Sequence, residues 1–168
     1  RALAVGIDLG TTNSLVAVSE NQQPLVLKDA AGHGLVPSVV LYQAGSIQVG
    51  DLARAALKDH PDRVVVSIKR LMGRGAEDVM RVSDTLPYEL DTTTGGMVRV
   101  KVGGRVLTPV EVSGHILQEL RARAERTSGR EVRQAVITVP AHFDDAARNA
   151  TKDAAKLAGL QEIGRAHV

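Results

Sequence analysis

Toward its C-terminal end the chain sets a strand between two helices, and this arrangement restricts its architecture more than any other feature. Ala135-Val136-Ile137-Thr138-Val139 is an uncharged, mostly β-branched run ended by Pro140, which reads as a buried strand. Ahead of it, Thr108-Pro109-Val110-Glu111 opens a helix with three independent signals: a hydroxyl N-cap, proline at the first helical position and Glu three residues after the cap. Val112, Ile116, Leu120 and Ala124 then recur every fourth residue, and Gly129 can stop the helix. Beyond the strand, Asp144 to Leu160 reads as another helix. Asp144 and Asp145 lie in its first turn, Lys152 and Lys156 later and Gly159 near its end, as the helix dipole favours. Such a succession calls for a layered α/β fold. Composition agrees: 43% of residues are hydrophobic but only 2% aromatic, so the core has to be built from Val, Leu, Ile and Ala.

The N-terminal part is β-rich. Ala4 to Leu9 reads as a buried strand, Gly10-Thr11-Thr12-Asn13 as a turn and Ser14 to Val18 as a second strand, which makes a hairpin. Pro24 to Lys28 can add a third strand, and Ser38 to Tyr42 with Ile47 to Val49 are shorter ones. Leu52, Ala53, Ala56 and Leu57 have helical spacing, and a second short helix can hold Ile68, Leu71 and Met72 before Gly73 and Gly75 break it. Gly103-Gly104, between Met97–Val102 and Arg105–Leu107, suits a tight hairpin turn.

A length of 168 residues allows one ordinary domain, able to bury roughly 70% of its unfolded surface. The net charge of +2 comes from 21 basic and 19 acidic residues that are interspersed, which gives no footprint for nucleic acid. No apolar run has the length of a membrane span, so neither nucleic acid nor membrane is an expected partner. Cysteine is absent, which removes disulfides and thiolate metal sites and permits a reducing compartment. His33, His60 and His115 are scattered and read as surface residues rather than metal ligands.

A strand followed by a glycine-containing turn suggests phosphate binding, yet neither G-x-x-x-x-G-K-[ST] nor G-x-G-x-x-G occurs. Gly6-Ile7-Asp8-Leu9-Gly10-Thr11-Thr12-Asn13-Ser14 remains: a turn whose backbone N–H groups can face an anion, with Asp8 able to hold a hydrated magnesium. The same residue types are what any hairpin turn collects, and turn chemistry alone favours that plainer reading.

Read as a string, Ile7-Asp8-Leu9-Gly10-Thr11-Thr12-Asn13-Ser14 resembles the first phosphate motif of the seventy-kilodalton heat-shock chaperones. Three further segments resemble that family in the same order: Ser67-Ile68-Lys69-Arg70-Leu71-Met72-Gly73-Arg74, Val136-Ile137-Thr138-Val139-Pro140-Ala141, and Phe143-Asp144-Asp145-Ala146 with Thr151-Lys152-Asp153-Ala154-Ala155. The wording of two of these, with Leu86-Pro87-Tyr88, is most similar to HscA-type chaperones that serve iron–sulphur cluster assembly, with the general DnaK type next. The resemblance implies an actin-like, ribonuclease-H-like α/β ATPase fold, incomplete here, in which phosphates sit between two β-hairpins. It implies ATP or ADP with magnesium as cofactors, a J-domain co-chaperone and a client protein such as an iron–sulphur scaffold as partners, and the bacterial cytoplasm as location.

Residue by residue, the resemblance gives Gly10, Thr11, Thr12 and Asn13 to phosphate, Asp8 to magnesium through water, and Lys69 to the γ-phosphate and the attacking water. Pro140 and Arg148 match residues that relay nucleotide state to the substrate-binding domain. Each has a plainer alternative: Lys69 as one of a solvated basic group with Arg70 and Arg74, Pro140 as a strand terminator, Arg148 as a helix residue paired with Asp144 or Asp145. His142 departs from the family, which usually has tyrosine there.

The expected domain plan is an N-terminal lobe over 1–162, with 1–37 and 108–162 as a core subdomain and 38–107 as an inserted outer one. Residues 163–168 resemble a translated sequencing adapter and are expected to be a non-native tail. The chain starts at Arg1 without methionine, and the second phosphate hairpin, adenosine motif and substrate domain are expected outside it. Actin-like filament proteins and sugar or acetate kinases share the superfamily and remain as rivals.

Overall fold

The computed structural model describes residues 3–75, 78–79, 83–92 and 96–167, with the backbone alone for 165–167. Arg1 and Val168, which bear on the expected ends, lie outside the described residues. The strands are β1 Leu3–Leu9, β2 Asn13–Glu20, β3 Gln23–Val26, β4 Val36–Pro37, β5 Val40–Gln43, β6 Ser46–Val49, β7 Val64–Val65, β8 Glu89–Asp91, β9 Arg99–Val102, β10 Arg105–Leu107, β11 Val132–Val139 and β12 Gln161–His167. Helices are α1 Asp51–Ala56, α2 Pro109–Ser128 and α3 Asp145–Leu157. The main sheet has the order β12-β11-β1-β2-β3, with β4 also paired to β2. β1 and β12 each run parallel to β11, whereas β2 is antiparallel to β1 and β3. Two three-stranded sheets, β6-β5-β7 and β10-β9-β8, come from the stretch between β4 and α2.

The local signals explain the element ends. Thr108 Oγ1 accepts from the Glu111 N–H at 3.1 Å while Glu111 Oε1 accepts from the Thr108 N–H at 3.1 Å, and Gly129 closes α2 at φ 68°. Such a cap contributes about 1 kcal/mol. Gly103 and Gly104, at φ 54° and 75°, make the two-residue turn between β9 and β10.

The periodic stripe Val112, Ile116, Leu120 and Ala124 is fully buried in one core with Val5, Ile7, Val16, Val132, Ala135 and Ile137 of the sheet. Burying each large aliphatic side chain stabilises by about 1.5–3 kcal/mol. α3 lies alongside α2, and Gly114 lets the two approach: a Cβ there would sit 3.2 Å from Leu157 Cβ. β1 differs from the fully buried strand expected of it. Val5, Ile7 and Leu9 are buried but Ala4 and Asp8 are exposed, because the helices cover the opposite face of the sheet. None of the described helices is long and apolar enough to cross a membrane.

His115 also departs from expectation. His33 and His60 are exposed, but His115 on α2 is half-buried and shares a hydrogen bond between its Nδ1 and the Tyr42 hydroxyl at 2.8 Å. That bond ties β5 to α2. Burial holds the Tyr42 phenol far above its ordinary pKa and pushes the His115 pKa below 6.5 against the pull of Glu111. A histidine with a depressed folded pKa destabilises the fold when protonated, so its contribution is complete above about pH 6.5 and lost as pH falls below it. His115→Gln should therefore lower the melting temperature more at pH 7.5 than at pH 5. An equal difference at both values would remove His115 from the pH dependence.

Candidate functional site

β1 and β11 run in the same direction and end at Leu9 and Val139, so the turn at Gly10 and the turn at Pro140 emerge from one edge of the sheet. Gly10 has no alternative residue, since a Cβ there would run into the Asn13 carbonyl. A closed set of hydrogen bonds braces this turn. The Gly10 N–H donates to Ser14 Oγ at 3.3 Å, and Ser38 Oγ donates to the Gly10 carbonyl at 2.8 Å. Ser38 has then used its one proton, so the 2.8 Å contact between the hydroxyls has Ser14 as donor. The Ser38 N–H also donates to the Thr12 carbonyl at 2.8 Å. Both serines are buried, Ser14 to 1% and Ser38 to 2% exposure. Neither received a role from the sequence; the available signal was a lone hydroxyl inside the apolar run Val36 to Val40.

Lys69 stands on a 3-10 turn, Ile68–Leu71, whose start is Ser67 in the left-handed region at φ 56°. That backbone costs about 1–2 kcal/mol for a non-glycine residue and is held by burial of Ile68, Leu71 and Met72, with Ser113 Oγ donating to Met72 Sδ at 3.2 Å. The Lys69 ammonium lies 5.5 Å from the Phe143 ring centroid. Burial lowers its pKa, and the Asp8 carboxylate opposes that shift, which brings Asp8 into the same electrostatic environment.

Thr11, Lys69, Arg70, Arg74, Pro140 and Phe143 line one small cleft of 140 Å³. Asn13 lines a separate open cleft of 490 Å³ with His33, Pro37 and Arg54. Four of the expected site residues thus gather at the edge of the sheet: Thr11, Lys69 and Pro140 by contact, Asp8 by its field. Thr12 is exposed at the turn. His142, also in the cleft, sets its imidazole edge-on to Phe143 at 5.6 Å, so a ring contact exists without tyrosine.

Arg148 lies outside the cleft lining. The ion pair with Asp144 or Asp145 offered as its plainer reading does not form: Asp144 caps α3 by accepting from the Ala147 N–H at 2.8 Å and pairs with Arg74 at 3.4 Å. The Arg148 Nε is buried without a hydrogen-bond partner. Nor are Lys69, Arg70 and Arg74 one solvated group, since Lys69 is half-buried, Arg70 exposed and Arg74 paired. Among the described residues no three His, Cys, Asp or Glu side chains cluster as a metal site. A single exposed carboxylate at a strand end, Asp8, suits an ion held mainly through its own waters.

A family model described as Hsp70 protein matches residues 4–165. A chaperone protein HscA homolog of Pseudomonas aeruginosa (strain LESB58) is 54% identical over 163 residues, which cover 97% of this chain and 26% of that protein. Similar proteins of the same description occur in Aromatoleum aromaticum, 55% identical over 162 residues, and Janthinobacterium sp. (strain Marseille), 56% over 163; each match covers 96% of this chain and 26% of the relative. The chain therefore spans about a quarter of the length of these curated relatives. Its mixed α/β architecture is that of the actin-like ATPase fold implied by the sequence resemblance. Motif, fold and a family match over nearly the whole chain agree, and the chain belongs to the Hsp70 family.

Proposed function

We propose that this chain forms the first half of the ATP site of a bacterial HscA-type chaperone, whose ATP hydrolysis drives binding and release of a client in iron–sulphur cluster assembly. The observation that carries this reading is the convergence of Thr11 and the partly desolvated Lys69 on one cleft beside Pro140. Identity of 54–56% to HscA homologs supports the specialisation. A J-domain co-chaperone, an iron–sulphur scaffold client and a cytoplasmic location follow from the same resemblance. The division into a core of 1–37 and 108–162 with 38–107 inserted is supported by the separate sheets those stretches form. A non-native tail at 163–168 is compatible with β12, because backbone pairing accepts any sequence and Ile163 stays 48% exposed.

In this reading Gly10, Thr11, Thr12 and Asn13 contact the phosphates of ATP. Asp8 orients the water shell of a magnesium ion, which when bound neutralises phosphate charge. Phosphoryl transfer to water leaves little covalent work to the protein, so rate depends on positioning and charge. Lys69 aims its ammonium at the γ-phosphoryl oxygens and the attacking water. Its half-burial makes that charge worth more than it would be in open solvent. Pro140 and Arg148 then pass the nucleotide state onward, Pro140 beside Lys69 and Arg148 on α3.

Isothermal titration of this chain with Mg-ATP should show very weak binding and no hydrolysis, because one hairpin supplies only one side of the phosphate clamp. A micromolar dissociation constant, about −8 kcal/mol, would contradict that division of the site. In the full-length protein, Lys69→Ala should abolish single-turnover hydrolysis while ATP binding is largely kept, since the charge acts on the transition state; turnover within a few fold of wild type would return Lys69 to an ordinary surface role. Arg148→Ala should reduce the ATP effect on client affinity, typically about 5- to 150-fold for allosteric coupling, toward unity with ATP binding intact. An unchanged ratio of client dissociation constants with ADP and ATP would end the relay assignment.

A further inference from the structure

Lys69 and α3 are far apart in sequence, yet the segment carrying Lys69 is seated on the first turn of that helix. Gly73 makes the closest approach. It sits at φ 70°, and a Cβ added there would lie 2.6 Å from the Ala146 carbonyl carbon and 2.7 Å from the Ala147 Cα, with the Ala147 nitrogen nearer still. All three are backbone atoms at the start of α3 and cannot rotate away. One residue on, the Arg74 guanidinium meets the Asp144 carboxylate at 3.4 Å, and Asp144 is also the α3 cap. On the other side of Gly73, Lys69 meets Phe143, the residue before that cap.

The two contacts differ in weight. Arg74 and Asp144 are 36% and 53% exposed, and an ion pair so placed contributes at most about 1 kcal/mol. Backbone against backbone at Gly73 leaves no such slack, because any side chain must separate the two elements or distort the turn.

We propose that Gly73 is a positioning residue for Lys69: its bare backbone seats the Lys69 segment on α3, Arg74 and Asp144 fasten the joint, and Lys69 is thereby fixed against the Pro140–Phe143 turn. This rests on the reading of Lys69 given above as the γ-phosphate lysine. It adds that the lysine and the helix bearing Arg148 are held as one unit. A displacement of α3 displaces the ammonium with it.

Phe143 is the single phenylalanine of the chain, so proton contacts between a labelled phenylalanine ring and the Lys69 side chain are unambiguous by NMR. In the wild-type chain the Lys69 methylenes should show these contacts and an upfield ring-current shift. Gly73→Ala should remove both, and in the full-length protein should lower kcat about tenfold to a hundredfold, as misplacement by roughly 1 Å does, with KM for ATP changed less than about threefold. A folded Gly73→Ala chain that keeps the Lys69–Phe143 contacts overturns the inference. Loss of the contacts with turnover unchanged upholds the joint and instead overturns the catalytic role of Lys69. Should Gly73→Ala fail to fold, Arg74→Ala carries the same two readouts. A kcat about two- to fivefold lower, the equivalent of an exposed ion pair, with recovery in Arg74→Lys, upholds the joint. Unchanged contacts and kcat in Arg74→Ala overturn it.

Discussion

The parallel pairing of β1 with β11 is the constraint on which the site depends. Asp8 lies opposite Thr138 in the register, so both strands deliver their following turns to the same edge. Segments more than a hundred residues apart thereby place Gly10-Thr11 next to Pro140. A slip of one residue would send Val5, Ile7 and Leu9 to the open face and Asp8 into the core. The apolar burial beneath α2 consequently fixes where Asp8 stands. Stability of the core and geometry of the site are one interaction seen from two faces of the sheet.

The stretch between β4 and α2 contributes to this edge from outside. Ser38, just after β4, reaches back to the Gly10 turn, and the 3-10 turn after β7 carries Lys69. Both approach a sheet whose own strands supply none of these groups. The anchors of the second are apolar: Ile68, Leu71 and Met72 are buried in the main core, which leaves Lys69 facing the cleft. Phe143 belongs to a small cluster with Val139 and Ala147, separate from the main core that holds Tyr42 and Tyr88. The Phe143 ring of that cluster lies beneath the Lys69 ammonium.

Features written in adjacent residues were legible in the sequence. The Thr108–Glu111 cap, the α2 stripe and the Gly103-Gly104 turn each follow from a few neighbouring positions, and the structure has them all. The family, and with it the fold, was legible through strings that no periodicity argument would have separated from an ordinary turn. Contacts between distant positions were not legible. Ser38 meets Gly10 across 28 residues and Arg74 meets Asp144 across 70, and nothing local to either end marks the partner. For the same reason helical spacing offers Arg148 a pairing with Asp144 or Asp145, whereas no such ion pair forms and Asp144 is engaged by the α3 cap and by Arg74. His115 read as surface because its helix position alone does not reveal the Tyr42 hydroxyl approaching from β5.

The serine pair beneath the Gly10 turn has an electrical consequence. Carbonyl oxygens carry the negative end of the peptide dipole, and a turn that exposes them toward an anion repels it. Ser38 engages two of them at once, Gly10 through its hydroxyl and Thr12 through its amide. The negative ends of both peptide units are thus drawn toward the protein interior. Since a peptide dipole that points one end inward points the other outward, these two units turn their positive ends away from Ser38. One neutral serine in this way turns two carbonyls of an uncharged loop away from its outer rim.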